Sequence, residues 1–138
     1  MKILGLDIGK KRIGVAVSDD RHVFAFPLTT IQADRGFRHV LSELEKLIHE
    51  HDISTIVIGY PLDVNDHVTE STRLAETYLK KIKAAFPDIT IESYDESYST
   101  LEAQSIMNEN QKKKKKQKDD IDKIAAAVIL KRYLDETK

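Results

Sequence analysis

The sequence contains no cysteine and no tryptophan. Without thiols there can be no disulfide framework, no thiolate zinc site and no cysteine nucleophile. No apolar run approaches the ~18 residues of a membrane span, and the opening segment Met1-Lys2-Ile3-Leu4-Gly5-Leu6 turns acidic at Asp7. A cytoplasmic placement with no membrane partner is therefore expected. No phosphate loop of the form G-x-x-x-x-G-K-[ST] is present, nor a G-x-G-x-x-G turn or a G-x-S-x-G elbow. The five histidines, at positions 22, 39, 49, 51 and 67, have no zinc-like spacing with a partner acid. Aromatic residues make up only 7% of the chain, which leaves few anchors for a protein interface and favours a monomer over a dimer.

What remains is 138 residues, 41% hydrophobic and 33% charged. A chain of this length buries roughly two-thirds of its unfolded surface, so one domain spanning 1–138 is expected to have an adequate core without staples. The net charge of −1 conceals a segregation. Six lysines fall between Lys112 and Lys118 with no acid among them, leaving 16 basic and 23 acidic residues elsewhere. Such a run is either a solvated loop or an attractor for a polyanion.

Lys2 to Ile8 and Ile13 to Val17 predict two strands joined by a turn at Gly9-Lys10-Lys11, with a third strand at Val23 to Phe26 ahead of Pro27. Phe37, Val40, Leu41, Leu44, Leu47 and Ile48 recur at helical spacing. Ser54 to Gly59 is a short β-branched run typical of a buried strand. Leu74, Tyr78, Ile82 and Ala85 or Phe86 mark a second helix closed by Pro87, and Ile89 to Tyr94 a fifth strand. Ser99-Thr100-Leu101-Glu102 is a capping box that would open a third helix, and Ile121, Ile124, Ala125, Val128 and Ile129 trace a last one. The order βββαβαβαα implies an α/β fold, a mixed five-stranded sheet with helices on both faces. Ligands of such sheets sit beyond the carboxyl ends of the parallel strands.

Acids gather at those ends. Asp7 lies inside an apolar strand, where an unpaired carboxylate would cost several kcal/mol. Asp95-Glu96 follows the fifth strand, and Asp119, Asp120 and Asp122 open the last helix. Oxygen-only clusters of this kind suit Mg²⁺ or Mn²⁺, and two such ions about 3.5–4 Å apart serve phosphodiester hydrolysis. Some of these acids have structural readings as well: Asp119 or Asp120 as a helix N-cap, Asp122 as a first-turn residue favoured by the helix dipole, and Glu96 as an exposed strand end.

Ile3-Leu4-Gly5-Leu6-Asp7-Ile8-Gly9-Lys10-Lys11-Arg12-Ile13-Gly14-Val15-Ala16-Val17-Ser18-Asp19 resembles the first motif of the YqgF/RuvX proteins, whose fold is RNase H-like. Ile56 to Leu62 is similar to their second motif, Asp95-Glu96 with Ser99 to Ala103 to the third, and Ile121 to Leu130 to the last. The resemblance implies a metal-dependent nuclease, described both as a Holliday junction resolvase and as the nuclease that matures the 5′ end of 16S ribosomal RNA. It places the acidic triad on Asp7, Glu96 and Asp122, holding Mg²⁺ or Mn²⁺. Lys11, Arg12, Thr100 and the run Lys112, Lys113, Lys114, Lys115 and Lys116 are the candidate nucleic-acid contacts. Precursor ribosomal RNA is the expected partner, with ribosome precursor particles and branched DNA as further partners. Two positions depart from the family pattern: Ser97 stands where Arg is usual, and Asp63-Val64-Asn65-Asp66-His67 lacks the usual Gly. A non-catalytic ribosome-assembly module and an ATPase sharing the Asp7-Ile8-Gly9 hairpin are the other classes, the latter requiring a second lobe.

If the lysine run binds phosphates, replacing Lys112 to Lys116 with Gln will weaken binding and flatten its salt dependence. Each lost contact removes about 0.9 from the log–log slope on duplex or about 0.7 on single strands. Binding titrations across a salt series will show this, and an unchanged slope would mark the run as merely solvated.

Overall fold

In the computed structural model the described residues are 1–60, 70–95 and 118–137. The chain begins with β1 (Lys2–Ile8), turns at Gly9, where the Gly9 N–H donates to the Arg12 carbonyl at 3.0 Å, and returns as β2 (Arg12–Ser18). β3 (Ala25–Gln32) completes an antiparallel meander. After a 3₁₀ turn at Ala33–Arg35 come α1 (Phe37–His51), β4 (Ile53–Tyr60), α2 (Glu70–Ala85), β5 (Thr90–Asp95) and α3 (Lys118–Glu136). The helix expected to open at the Ser99 capping box lies outside the described residues.

The five strands form one sheet in the order β3-β2-β1-β4-β5. β1 pairs antiparallel with β2 and parallel with β4, and β4 pairs parallel with β5. The carboxyl ends of β1, β4 and β5 consequently share one edge, as the predicted topology requires.

The third strand differs from its expected extent, because it runs through Pro27 to Gln32. Proline cannot donate to a ladder, but β3 lies at the sheet edge, where one side needs no partner. The pairing also steps from Val15↔Thr29 to Ala16↔Pro27, leaving Leu28 as an extra residue. This bulge beside the proline lets pairing resume where a regular strand would end.

Alternation along β1 divides its side chains between two layers. Leu4, Leu6 and Ile8 join Ile13, Val15, Val17, Ile56 and Ile58 in a core closed by Val40 and Leu44 of α1 and Ala75, Tyr78 and Ile82 of α2. On the other face Ile3, Ala16 and Val57 pack against Ala126, Ile129, Leu130 and Leu134 of α3. Each fully buried Leu or Ile contributes about 1.5–3 kcal/mol of transfer free energy. Coverage on both faces explains why β1, β2 and β4 read as continuous apolar runs.

α3 approaches the sheet closely because two strand residues have no side chain. A Cβ built on Gly5 would lie 2.9 Å from the Leu130 Cβ and 3.3 Å from the Ala126 carbonyl oxygen. At Gly14 it would lie 1.9 Å from the backbone oxygen of Asp122. Gly14→Ala must push the helix off β2, since the obstacle is backbone, and a loss of about 3 kcal/mol or more is expected. Gly5→Ala meets the Leu130 Cβ, which is fixed to the helix backbone, but at 2.9 Å the overlap is far smaller than at Gly14, and roughly 1–2 kcal/mol is expected. Urea unfolding of the two variants will show this ranking, and equal losses would contradict the close contact at Gly14.

Candidate active site

Asp7 pairs with Gly14 across the β1–β2 ladder. It alternates with Leu6 and Ile8, so it belongs to the face that carries α3. Gly14 lies directly beneath the Asp122 backbone. One register pair and one missing side chain thus bring carboxylates 115 positions apart in sequence into electrostatic contact. Part of the Asp7 residue still meets solvent, yet enough protein surrounds its carboxyl to desolvate it. Burial first, and the neighbouring Asp122 charge second, raise its pKa from 3.8 to about 7.

Arg12 stands two residues before Gly14 on β2 and so shares its face. Its Nε–H donates to Asp122 Oδ2 at 2.8 Å, with about a quarter of each side chain exposed (25% and 27%). Of the expected nucleic-acid contacts, Arg12 therefore lies in the acidic cluster itself. Lys11 is exposed in the adjoining turn, and its carbonyl accepts the Ala33 N–H at 2.8 Å, which ties the turn to the 3₁₀ segment. Glu96, Thr100 and Lys112 to Lys116 lie outside the described residues, as do Ser97 and the segment 63–67. α3 is described from Lys118 onward and contains Asp119, Asp120 and Asp122; the segment before it, on which the capping expectation depends, lies outside the described residues.

Among the described residues no three His, Asp or Glu converge to hold a metal ion; the cluster here is a pair, Asp7 and Asp122. The donor set is all oxygen, and among the described residues burial and the Asp122 charge both oppose ionisation of Asp7, which is the environment a hard divalent cation relieves. Mg²⁺ or Mn²⁺ thus fits the residues present. Sequence reasoning missed the Arg12–Asp122 pair and the contact of Lys10 Nζ with Glu70 Oε2 at 2.7 Å, which links the β1–β2 turn to the start of α2. The hairpin register, readable from the two apolar runs, could have placed Arg12 and Asp7 on one face; nothing local pointed to Glu70. A cavity of about 540 Å³ lies elsewhere, between β3 and α1, lined by Thr29, Thr30, Arg35, His39 and Glu43, and none of the expected site residues borders it.

Sheet order, helices on both faces and acids at the carboxyl edge define an RNase H-like fold. The Thermus thermophilus RuvC in complex with a Holliday junction superposes with a TM-score of 0.63 at 12% identity, covering 99% of this chain and 96% of that one. A Cytophaga hutchinsonii protein described as a "putative sugar kinase" shares the fold over 75% of this chain and 39% of its own, with a TM-score of 0.51 and 12% identity. Residues 1–136 match the family described as "RuvX: Holliday junction resolvase", and the chain belongs to that family. Relatives named "Putative pre-16S rRNA nuclease" include those of Oceanobacillus iheyensis, 39% identical with 99% of each chain covered, and Mycoplasma mobile, 38% identical with 98% of this chain and 92% of that one covered. The enzyme is a nuclease, a hydrolase of phosphodiester bonds.

The raised Asp7 pKa has a direct consequence for stability. The folded state holds a proton that the unfolded chain releases between about pH 4 and 7, so stability falls as pH rises through that window and stays low above it. In chelator-containing buffer Asp7→Asn is expected to be more stable than wild type near pH 8 by roughly 1–3 kcal/mol, below the ceiling set by about 1.4 kcal/mol per pKa unit. The gap should close near pH 4. Urea midpoints at the two pH values will decide, and a difference independent of pH would contradict it.

Proposed function

We propose that this chain is a metal-dependent nuclease that processes the 5′ end of precursor 16S ribosomal RNA, with Asp7, Glu96 and Asp122 as the carboxylates that hold Mg²⁺ or Mn²⁺. The observation that carries this reading is the placement of Asp7 and Asp122 together at the sheet's carboxyl edge, with Asp7 raised to about 7. Bound divalent cations supply Lewis-acid activation of water and stabilise charge on the leaving oxygen.

The chain's own residues do the rest. Asp7 and Asp122 sit on a strand and a helix, which hold them in place more firmly than loops would. Their mutual repulsion is relieved by a cation, so binding energy is available at the point where the phosphate must be met. Arg12 and Lys11 present positive charge at the same edge and orient a phosphate backbone. Thr100 and Lys112 to Lys116 are the further residues assigned to phosphate contact on this reading. The acidic body repels nucleic acid elsewhere, leaving one approach.

The relatives' names favour an RNA substrate, and a body near −7 with a single basic run suits one strand passing one site. On this reading the protein acts as a cytoplasmic monomer on ribosome precursor particles, as one domain spanning 1–138. Among the described residues no helix is long and apolar enough to cross a membrane. A second reading, resolution of Holliday junctions, draws on the family description and on the likeness to RuvC; it requires paired incisions and hence a dimer.

Purified enzyme will be given precursor 16S RNA and a four-way DNA junction under the same metal conditions, and the products mapped. Cleavage of the RNA at a defined 5′ position is expected, abolished by chelation, restored by Mg²⁺ or Mn²⁺, and reduced at least 10³-fold, an order-of-magnitude figure for loss of transition-state charge stabilisation, in Asp7→Asn. Symmetric nicking of the junction by a dimer, without RNA cleavage, would reverse the substrate assignment. Undiminished turnover by Asp7→Asn would remove Asp7 from the reaction.

A further inference from the structure

We propose that Arg12 is an internal counter-ion that a divalent cation displaces from Asp122, so that the cation and the substrate phosphate bind cooperatively. The proposal rests on the metal-dependent reading above and adds to it a role for a residue that the acidic triad does not include.

The Arg12 Nε–H donates to Asp122 Oδ2 at 2.8 Å, and the pair is only about a quarter exposed (25% and 27%). An ion pair removed this far from water is stronger than one on an open surface. The carboxylate that this Nε–H engages is that of Asp122, whereas among the described residues what acts on Asp7 is burial and the Asp122 charge. A cation held by the two carboxylates would compete with the guanidinium for the negative charge of Asp122. The two positive groups also repel at that distance, so occupancy by one opposes occupancy by the other.

The backbone of Arg12 cannot follow its side chain. It pairs with Gln32 in the ladder, and its carbonyl accepts the Gly9 N–H at 3.0 Å. Displacement is therefore a rotation of the long side chain alone, at the edge of the sheet beside exposed Lys11. Parted from Asp122, the planar fork of Arg12 suits a phosphate. Because linkage is reciprocal, cation binding tightens phosphate binding and phosphate tightens cation binding.

Mn²⁺ alone will be titrated calorimetrically into the full-length wild type, Arg12→Gln, Arg12→Lys and Asp122→Asn. Arg12→Gln is expected to bind Mn²⁺ about tenfold more tightly, equivalent to ~1.4 kcal/mol. Arg12→Lys should stay near wild type because it keeps the charge, and Asp122→Asn should lose binding. Unchanged or weaker Mn²⁺ binding by Arg12→Gln overturns the proposal, while Asp122-dependent binding by wild type leaves the metal reading standing. Absence of Mn²⁺ binding by wild type overturns the metal reading and the proposal with it. A folding defect in Arg12→Gln is circumvented by following the Arg12 Nε–H resonance of wild type during Mg²⁺ titration. A shift that Asp122→Asn abolishes supports displacement, and an unmoved resonance at saturation overturns it.

Discussion

A helix carbonyl resting where a strand residue has no side chain is the contact on which this site depends. At Gly14 even one methyl group would overlap the Asp122 backbone oxygen, and at Gly5 it would press on Leu130. These two absences let α3 lie directly on β1 and β2, and Ile129, Leu130 and Leu134 then bury against Ile3, Ala16 and Val57. The hydrophobic gain from that layer holds the helix down. It thereby holds Asp122 beside Asp7, an arrangement that the charges alone would oppose.

That opposition is part of how the site works. Packing forces together two acids whose repulsion and burial would otherwise be avoided, and the protein answers each differently. Asp122 receives the Arg12 guanidinium, whereas Asp7 is pushed toward its neutral form. Under the proposed function, a site that stores repulsion in this way would bind cations with the free energy that folding supplied. On that proposal, function and stability are set against each other at Asp7, the usual relation at a reactive centre.

Much of this architecture is legible in the sequence because it is local. Lys2–Ile8 reads as a strand from its apolar run, and α1 declares itself through the spacing from Phe37 to Ile48. Asp7 stands out because nothing in its own strand explains a carboxylate there. β3 runs past the end its sequence implies, because Pro27 ends most strands and here edge position and the Leu28 bulge accommodate it. The Arg12–Asp122 pair joins residues 110 positions apart, and the pair Lys10–Glu70 spans 60. Such contacts depend on how a helix is laid across a sheet, which no local pattern encodes. Acids were therefore recognisable as candidates one by one, while their mutual geometry and their internal counter-ion were not.

The central claim is that folding drives Asp7 and Asp122 together into a partly desolvated pair. The most direct measurement is a ¹³C titration of the Asp7 side-chain carboxyl in metal-free buffer, in wild type and in Asp122→Asn. The account predicts a wild-type midpoint of about 7 that moves down, without returning fully to 3.8, when the Asp122 charge is removed, because burial is the larger cause. A wild-type midpoint in the ordinary aspartate range, or one indifferent to Asp122, would contradict it.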